Sequence, residues 1–368
     1  MKILQISPYA DPKMGGQERH VLALCKILAS LGHEVTLLTC KADSSNSSRK
    51  FQIYTVSSLS LIGLPFVRPK ELMAFLSEKK FDICHLHYKT LFGEIVLLVN
   101  RKCKLPTVTT LHSQMIRRLP AKFFYDRISL KIIGNLSKKV ICLSPKLTQE
   151  LIKRGLKGSK CVVIPNAVDV KMLKDRLQKI RRGLHESEFD LLFVGRLEQR
   201  KGIKWLLQSL ALLHKKRKRM TLKIVGQGPL KGELQRFILA KNLKRYVDLL
   251  GYVSDRELLK LFLLAKCIVI PSFYEGIPTI ALEAIVANKP LIVSNIPGLN
   301  ELVVNGGNGL VVDPMDVYGL ASAIESILLN TTYLNSLNHV NQKVLRKFDW
   351  SAIVPKILET YHEVLVGN

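Results

Sequence analysis

Residues 267–284 read CIVIPSFYEGIPTIALEA. The run from Cys267 to Ile270 is continuously apolar and rich in β-branched side chains, which predicts a strand that is buried on both faces. A turn that contains Gly276 follows, and a helix then begins near Thr279. A strand, a glycine turn and a helix in this order form the repeating unit of a parallel sheet that is covered by helices.

The same unit recurs along the whole chain of 368 residues. In the first half we predict strands at Lys2–Ser7, Glu34–Thr39, Asp82–Leu86, Thr107–Leu111, Val140–Leu143 and Cys161–Ile164. In the second half we predict strands at Leu191–Gly195, Leu222–Val225, Val247–Leu250, Cys267–Ile270 and Leu291–Val293. Amphipathic helical segments lie between the strands, so the fold class is α/β with doubly wound parallel sheets.

One charged, strand-free stretch after Asn166 interrupts this alternation. We therefore predict an N-terminal Rossmann-like domain at residues 1–168, a linker at 169–189 and a C-terminal Rossmann-like domain at 190–347. Residues 348–368 are predicted to form a helix that packs back on the N-terminal domain. We expect the two domains to face each other across a cleft. Ligands of open α/β sheets bind beyond the carboxyl ends of the strands, so the loops there are the first places to look for chemistry.

The composition limits the class of protein. Apolar residues make up 47% of the chain, which excludes a disordered tail, a collagen and a disulfide-stapled miniature. The 56 basic residues exceed the 29 acidic ones by a net charge of +27, so an acidic or phosphorylated partner is expected. The seven cysteines form no CxxC pair, which predicts buried thiols in a reducing compartment and no metal site. No apolar run reaches the length of a membrane span and the N-terminus lacks a signal segment, so a cytoplasmic location is expected.

Two features of the first half are candidate ligand contacts. Gly15 and Gly16 follow the first strand and precede a helix, where a backbone free of side chains can approach an anion closely. The spacing is not the GxGxxG dinucleotide fingerprint, which argues against a dehydrogenase. His112 ends the strand at Thr107–Leu111, a position suited to hydrogen bonding or proton transfer.

The second half offers two cations. Arg196 follows the strand at Leu191–Gly195, and Lys201 comes where the next helix begins. Two positive charges beside a helix N-terminus favour a diphosphate, because the charges and the helix dipole act on the same anion. The turn at Gly226 is a further place where a nucleotide could approach the backbone.

Two carboxylates belong to the stretch quoted first. Glu275 lies in its loop and Glu283, eight residues later, on its helix. With the loop folded over the helix, both can line one elongated ligand, since carboxylates suit the hydroxyls of a sugar. The backbone N–H groups of Ile277 and Thr279, on either side of Pro278, then point towards a phosphate at the helix N-terminus.

With these motifs in this order, the whole chain resembles the retaining glycosyltransferases of the GT-B fold, the family-four or "glycosyl transferases group 1" set. The spacing Glu275-x7-Glu283 is similar to the EX7E motif of that family. Gly195-Arg196 with Lys201-Gly202 resembles its phosphate-binding segment, and Gly15-Gly16 resembles its N-terminal glycine loop. Residues 164–169, IPNAVD, resemble its inter-domain element.

This resemblance implies a set of roles. Glu275, His112, Arg196 and Lys201 would be the catalytic groups: the two cations hold the donor diphosphate, Glu275 contacts the sugar near its 3-OH, and His112 reaches the sugar near its 6-OH. Glu283 would bind the ribose. The main chain at Gly15, Gly16, Gly226, Gly251, Gly276, Ile277, Pro278 and Thr279 would complete the donor site. The resemblance further implies transfer with retention, no cofactor and no metal ion.

The family pattern is not matched everywhere. Ala167 stands where glycine is usual, Asn288 stands where the helix normally ends in glycine, and Ile277-Pro278 replaces Phe-Gly. None of these changes removes a charged group, so activity is expected, but the identity of the sugar does not follow from the resemblance.

The positive charge is concentrated in the first half. Residues 101–160 hold fifteen basic and two acidic side chains. Basic and aromatic residues alternate there, a pattern typical of a helix on an anionic lipid surface. We therefore expect a lipid-linked or saccharide acceptor and a peripheral position on the inner face of a membrane. The candidate residues for this contact are Arg117, Arg118, Lys122, Phe123, Phe124, Arg127 and Lys131.

Two other functions remain open at this point. A sugar-nucleotide epimerase of the same fold would use a similar donor site without an acceptor. A nucleic-acid-binding or DNA-glycosylating protein would explain the net charge, but the sequence has no recognisable binding module, so no specific nucleic acid is expected.

Overall fold

The computed structural model of this chain describes residues 1–10, 15–42, 50–61, 64–88, 91–112, 120–329 and 334–367. Contacts between residues divide it into two compact units. Unit 1 comprises Met1–Asn166 with Ser351–Asn368, and unit 2 comprises Ala167–Trp350.

Unit 1 contains a seven-stranded parallel sheet. Its strands and the shorter strands beside it are β1 (Lys2–Ile6), β2 (Tyr9–Ala10), β3 (Glu34–Thr39), β4 (Lys41–Ala42), β5 (Gln52–Thr55), β6 (Ser58–Leu61), β7 (Leu64–Val67), β8 (Ile83–Tyr88), β9 (Thr107–Leu111), β10 (Lys139–Cys142) and β11 (Cys161–Val163). The sheet order is β11-β10-β9-β8-β1-β3-β5. The helices that follow are α1 (Gly16–Ser30), α2 (Pro69–Glu78), α3 (Phe92–Cys103), α4 (Pro120–Leu136) and α5 (Pro145–Lys153).

Unit 2 contains a six-stranded parallel sheet in the order β14-β13-β12-β15-β16-β17. The strands are β12 (Phe189–Val194), β13 (Leu222–Val225), β14 (Val247–Gly251), β15 (Ala265–Ile270), β16 (Leu291–Ser294) and β17 (Gly309–Val312). The helices are α6 (Val170–Arg181), α7 (Ile203–Lys215), α8 (Lys231–Ala240), α9 (Asp255–Leu264), α10 (Thr279–Val286), α11 (Pro297–Asn300), α12 (Val317–Leu329) and α13 (Leu334–Phe348). The last helix of the chain, α14 (Trp350–Val366), contributes all but its first residue to unit 1.

Both sheets reverse their strand order once, which makes both units doubly wound as predicted. Counted along the chain, the strands of unit 2 lie in the order 3-2-1-4-5-6, which is the Rossmann order. The strand order reverses between β12 and β15 in unit 2 and between β1 and β8 in unit 1. A crevice forms where neighbouring strands send their helices to opposite faces, so each reversal marks a place for a ligand.

The central strands of the unit 2 sheet are buried on both faces because their side chains are apolar at most positions. Leu192 and Ile268 enter one core cluster with α9 and α10, whereas Leu191, Phe193 and Cys267 enter a second cluster with α7 and α12. This arrangement is the physical reason for the continuous apolar runs from which the strands were predicted.

The predicted linker contains a helix. Asp169 caps α6, since its side chain accepts a hydrogen bond from the backbone N–H of Met172 at 2.8 Å. Leu173 and Leu177, one turn apart, are buried in the core of unit 2. The charge of the stretch concealed the helical spacing of these two leucines, and its last residue, Phe189, already belongs to β12.

Candidate functional site

The loops after β12 and β15 meet at the strand-order reversal of unit 2. Lys201 lies in a short 3-10 turn, Gln199–Lys201, just before α7 and not in its first turn. Glu275 lies in the loop between β15 and α10. The Lys201 ammonium forms an ion pair with the Glu275 carboxylate. Two side chains that are 74 positions apart in the sequence are thus joined where the topology places a ligand crevice.

Several groups orient the Glu275 carboxylate. The Ser272 hydroxyl donates to Glu275 Oε1 at 2.8 Å, and Arg200 Nη1 lies 3.9 Å from Oε2. The side chain of Glu275 is 9% exposed and that of Lys201 is 16% exposed, so the pair is largely shielded from water. Arg200 is more exposed and forms a second ion pair with Glu198 at 2.7 Å. The result is a preorganised cluster in which two cations flank one carboxylate.

Backbone contacts hold the two loops together. The Phe273 N–H donates to the Arg200 carbonyl at 2.9 Å, and the ring of Phe273 packs edge-on against Trp205 at 4.5 Å between centroids. Gly202 has a φ of +70°, and a Cβ there would lie 1.8 Å from the carbonyl oxygen of Pro271. Only glycine combines this conformation with this approach, so Gly202 fixes the position of Lys201 relative to Glu275.

A second glycine fixes the other side of the Glu275 loop. A Cβ on Gly298, in the short helix after β16, would lie 1.6 Å from the carbonyl oxygen of Gly276. Ile277 is 1% exposed and anchors the loop in the core. Pro278 precedes α10, and its carbonyl accepts from Ala281 N–H at 3.0 Å, so Thr279 is the first helical residue. Glu283 lies in the second turn of this helix and is partly buried.

The remaining predicted donor contacts lie at the same edge of the sheet. Arg196 follows β12, is exposed and forms no ion pair within the described part of the chain. The stem of Lys201 runs past the Cα of Gly195. Gly226 follows β13 and packs against the Gly195 carbonyl, so the space of its missing side chain is occupied by the protein's own backbone. Its N–H donates to the carbonyl of Gly251 at 2.7 Å.

In unit 1, Gly15 and Gly16 lie at the start of α1, beyond the end of β1. Gly15 is the residue before the helix and has an extended backbone, and Gly16 is the first helical residue. Glu18 is buried in the first turn, and a Cβ on Gly15 would lie 3.1 Å from its carboxylate. The glycine therefore leaves room for a charged side chain of the protein at this N-terminus.

His112, which is partly buried, belongs to a cluster with three buried histidines that sequence reasoning missed. His85 and His87 lie on β8, His20 lies on α1, and His112 follows β9. His87 Nδ1 lies 2.9 Å from His112 Nε2, and the two rings stack with centroids 5.1 Å apart. The pattern His85-x-His87 within an apolar strand was the available signal, because residues two apart on a strand lie on the same face.

Burial keeps these rings uncharged. It lowers the pKa of His20 from its ordinary value to about 4 and, with His20 nearby, that of His85 to about 3. Burial and the neighbouring histidines hold the pKa of His87 and of His112 well below the usual range, although the Asn166 side chain opposes this lowering at His112. Within the described ranges, no group of three or more histidine, cysteine, aspartate or glutamate side chains is arranged to hold a metal ion.

Most of the residues predicted to contact a membrane lie outside the described part of the chain. Arg117, Arg118 and the side chains of Lys122, Phe123 and Phe124 fall outside the described residues. Arg127 and Lys131 are exposed one turn apart on α4, with Ile128 beside them 44% exposed. Among the helices in the described ranges, none has the length and hydropathy needed to cross a bilayer.

Comparison with known proteins assigns both halves of the chain. Residues 14–172 match the family model described as Glycosyltransferase Family 4, and residues 174–344 match the model described as Glycosyl transferases group 1. An uncharacterized glycosyltransferase of Methanocaldococcus jannaschii is 27% identical over 98% of both chains. The phosphatidyl-myo-inositol mannosyltransferase of Mycolicibacterium smegmatis is 25% identical over 99% of this chain and 94% of its own. Anabaena HepE in complex with UDP-glucose has the same fold, with a TM-score of 0.82 and 20% identity over 99% of this chain and all of that chain.

Proposed function

Because the chain is a group 1 glycosyltransferase with the GT-B fold, we propose that it transfers a hexose from a nucleotide-diphosphate sugar to an acceptor hydroxyl with retention. The observation that supports this most directly is the ion pair of Lys201 with Glu275 at the strand-order reversal of unit 2. A cation suited to a phosphate and a carboxylate suited to sugar hydroxyls adjoin there. The sugar–phosphate bond joins these same two kinds of group in the donor.

The proposed chemistry needs charge stabilisation above all. When the bond between the anomeric carbon and the phosphate oxygen breaks, negative charge grows on the departing diphosphate. Lys201 and Arg196 stabilise that charge, and Lys201 is already held in place by Glu275 before the donor binds. The departing phosphate oxygen accepts the proton of the acceptor hydroxyl as the new bond forms on the same face of the sugar. This scheme uses no protein nucleophile and no metal ion.

The other groups bind the donor. We assign Glu283 to the ribose hydroxyls and the start of α10, at Ile277–Thr279, to the diphosphate, because the first N–H groups of a helix attract anions. We also assign His112 to the transferred sugar, as the family resemblance implies. Uridine diphosphate sugars are the first donors to test, because HepE is solved with UDP-glucose.

For the acceptor we propose a lipid-linked or saccharide hydroxyl presented at an anionic membrane surface on the cytoplasmic side. Two facts support this choice: the fifteen basic and two acidic residues between positions 101 and 160, and the name of the mannosyltransferase relative, which includes phosphatidyl-myo-inositol. Each cation near such a surface contributes about 1 kcal/mol. Neither the epimerase nor the nucleic-acid alternative is favoured by any of the matches.

A binding screen followed by a transfer assay tests the proposal. We expect one of the UDP-, GDP- or ADP-hexoses to raise the melting temperature of the full chain. That donor should then label phosphatidylinositol in mixed vesicles, with the donor's anomeric configuration kept and with undiminished yield in EDTA. Lys201→Ala should lower kcat/KM by about a hundredfold or more, as removal of one preorganised electrostatic contact does elsewhere. Conversion of the donor to an epimer without acceptor, or no response to any donor, would refute the proposal.

A further inference from the structure

Unit 2 has a small cavity at the carboxyl end of its sheet, on the face that α7 and α12 cover. Its empty volume is about 250 Å³, including space that is open to solvent. The apolar part of its wall includes Trp205 on α7, Pro271 after β15, Val312 at the end of β17 and Leu320 on α12. Sites for drug-sized ligands usually have about 300–1,000 Å³, so this cavity fits a smaller molecule.

A buried serine hydroxyl lines this cavity without a partner. Ser294 is the last residue of β16 and is 4% exposed. Side chains alternate along a strand, so Ser294 lies on the same face as Ile292, which packs in the core cluster of α7 and α12. Within the described ranges the Ser294 hydroxyl forms no hydrogen bond. A buried hydroxyl in this state costs free energy, and a ligand that bonds to it would recover that cost.

Two aspartates in the wall of the cavity carry charge that no described cation neutralises. Asp313 Oδ1 accepts from Asn295 Nδ2 at 3.0 Å, and Asp316 Oδ1 accepts from the Gly319 N–H at 2.9 Å. Both aspartates are exposed, and neither forms an ion pair with a described residue. Since the chain has 56 basic residues against 29 acidic ones, two unpaired carboxylates on one cavity make a locally negative site.

These groups together suit a primary ammonium ion with a short carbon chain. The two carboxylates neutralise its charge, and the Ser294 hydroxyl accepts one of its N–H groups. The partly exposed indole of Trp205 adds to the attraction, because an indole ring is the best aromatic partner of a cation. The apolar wall covers the carbon chain. A neutral sugar would leave both carboxylates without a counter-charge.

The cavity shares two residues with the support of the ion pair between Lys201 and Glu275. The ring of Trp205 packs against Phe273 at 4.5 Å between centroids, in the loop that carries Glu275. The carbonyl of Pro271 packs against Gly202, next to Lys201. A ligand that contacts Trp205 and Pro271 therefore restricts the same two loops that hold the ion pair.

We propose that this cavity is a second ligand site of unit 2, that it binds a small primary ammonium ion, and that its occupancy tightens the binding of a nucleoside diphosphate. The first two parts follow from the cavity alone. The third part rests on the proposed function, because it takes the ion pair of Lys201 with Glu275 as the diphosphate site. Coupling between two sites is reciprocal, so the diphosphate should also tighten the binding of the ammonium ion.

The indole of Trp205 reports on the site directly. The chain has two tryptophans, so the full chain labelled with nitrogen-15 in tryptophan gives two indole N–H signals, and Trp205→Phe assigns them. We expect millimolar n-butylammonium to move the Trp205 signal and to leave that of Trp350 in place. Tetramethylammonium, which has no N–H group, should bind about tenfold more weakly. No movement of the Trp205 signal, or tighter binding of methyl glucoside than of n-butylammonium, would overturn the proposal.

Substitutions separate the hydroxyl from the charge. Ser294→Ala should weaken the binding of n-butylammonium by about tenfold, and Asp313→Asn with Asp316→Asn by about fivefold. Asparagine keeps the side-chain oxygens that accept from Asn295 and Gly319. The control is Asp175→Asn with Asp248→Asn, the same charge change at exposed positions elsewhere in unit 2. An equal loss in the control would reduce the effect to general attraction by charge and refute the site.

Titration of UDP with and without n-butylammonium measures the coupling. We expect the ammonium ion to tighten the binding of UDP by about fivefold, and Ser294→Ala to need correspondingly more ammonium for the same effect. Binding of the ammonium ion without any change in UDP affinity would refute the coupling. If no nucleoside diphosphate binds while the Trp205 signal still moves, the proposed function fails and the ammonium site stands.

Discussion

At the scale of single residues, the ion pair of Lys201 with Glu275 has two opposed effects on a nucleoside diphosphate. The carboxylate holds the ammonium in position, but it also neutralises that ammonium and repels the phosphates. With a complete donor present, the sugar hydroxyls can hydrogen-bond to Glu275 and compensate for this repulsion. When the diphosphate binds alone, no sugar hydroxyl is present to compensate for the repulsion.

We therefore predict that Glu275→Gln strengthens the binding of a nucleoside diphosphate but slows transfer. We expect the variant to bind the nucleoside diphosphate about tenfold more tightly, which corresponds to about 1.4 kcal/mol. Transfer should fall by about a hundredfold or more, because the oriented carboxylate is lost. Isothermal titration and steady-state kinetics measure the two quantities. Glu233→Gln, whose parent carboxylate pairs with Lys204 on α7, should change neither, and weaker diphosphate binding by Glu275→Gln would contradict the prediction.

The positions of Lys201 and Glu275 could be predicted from the sequence, but not their contact. Each follows an apolar strand, and the side of the sheet follows from the strand direction. Their pairing depends on how closely the two loops approach, which is set by backbone contacts such as that of Gly202 with Pro271. A glycine in a loop does not reveal which carbonyl it will meet.

At the scale of elements, strands were predictable where they are central and apolar. The bounds of Glu34–Thr39, Thr107–Leu111 and Leu222–Val225 are as predicted. In the two main sheets, β5 and β17 were not predicted and each lies at an edge, whereas β11 and β14 at the opposite edges were predicted. The short strands β2, β4, β6 and β7 were not predicted either. An edge strand has fewer neighbours to bury it, so QIYT and GLVV lack the long apolar run that marks a central strand. Asn288, the predicted substitute for glycine after α10, has a φ of +55°, a conformation that asparagine tolerates.

The buried histidines of unit 1 should make its stability depend on pH. In the folded state the pKa of His85 is about 3 and that of His20 about 4, against about 6.5 in an unfolded chain. The unfolded state thus binds more protons below pH 6.5, so stability is complete above that pH and is lost as the pH falls towards the folded values. Each such histidine should lower the free energy of unfolding by about 1.4 kcal/mol per pH unit.

Urea unfolding followed by circular dichroism between pH 7.5 and 5 measures this effect. Tryptophan fluorescence is unsuitable, because both tryptophans, Trp205 and Trp350, belong to unit 2. His85→Gln should reduce the slope of the free energy of unfolding against pH by the contribution of one histidine. Substitution of the exposed His339 by glutamine should leave that slope unchanged. The same slope in His85→Gln and the parent chain would show that His85 is charged in the folded state.

At the scale of the whole molecule, the net positive charge is evident from the sequence, but the fold does not show which surface uses it. The net charge of +27 was evident at once, and the two doubly wound units followed from the strand pattern. The assignment of that charge to a surface depends on the seven candidate residues between Arg117 and Lys131, of which Arg127 and Lys131 have described side chains.

Vesicle flotation tests whether this charge serves membrane binding. We expect the chain to float with anionic vesicles, to stay behind with neutral ones and to dissociate as salt screens the attraction. Arg127→Glu with Lys131→Glu should weaken binding by at least thirtyfold, since two cations contribute about 2 kcal/mol. Lys215→Glu with Lys216→Glu, an equal charge change at the exposed end of α7, is the control. Equal binding to neutral and anionic vesicles would contradict the prediction.

The return of α14 to unit 1 has a consequence for how the protein is made. Unit 2 is one uninterrupted segment, so its sheet can form while the remainder is still being translated. Unit 1 leaves the ribosome first, yet Tyr361, the partner of Gln5 and His85, is added only after all of unit 2. During that interval the nascent sheet has an uncovered face with unpaired polar groups. We therefore expect the first half of the chain to need chaperones until the last helix emerges.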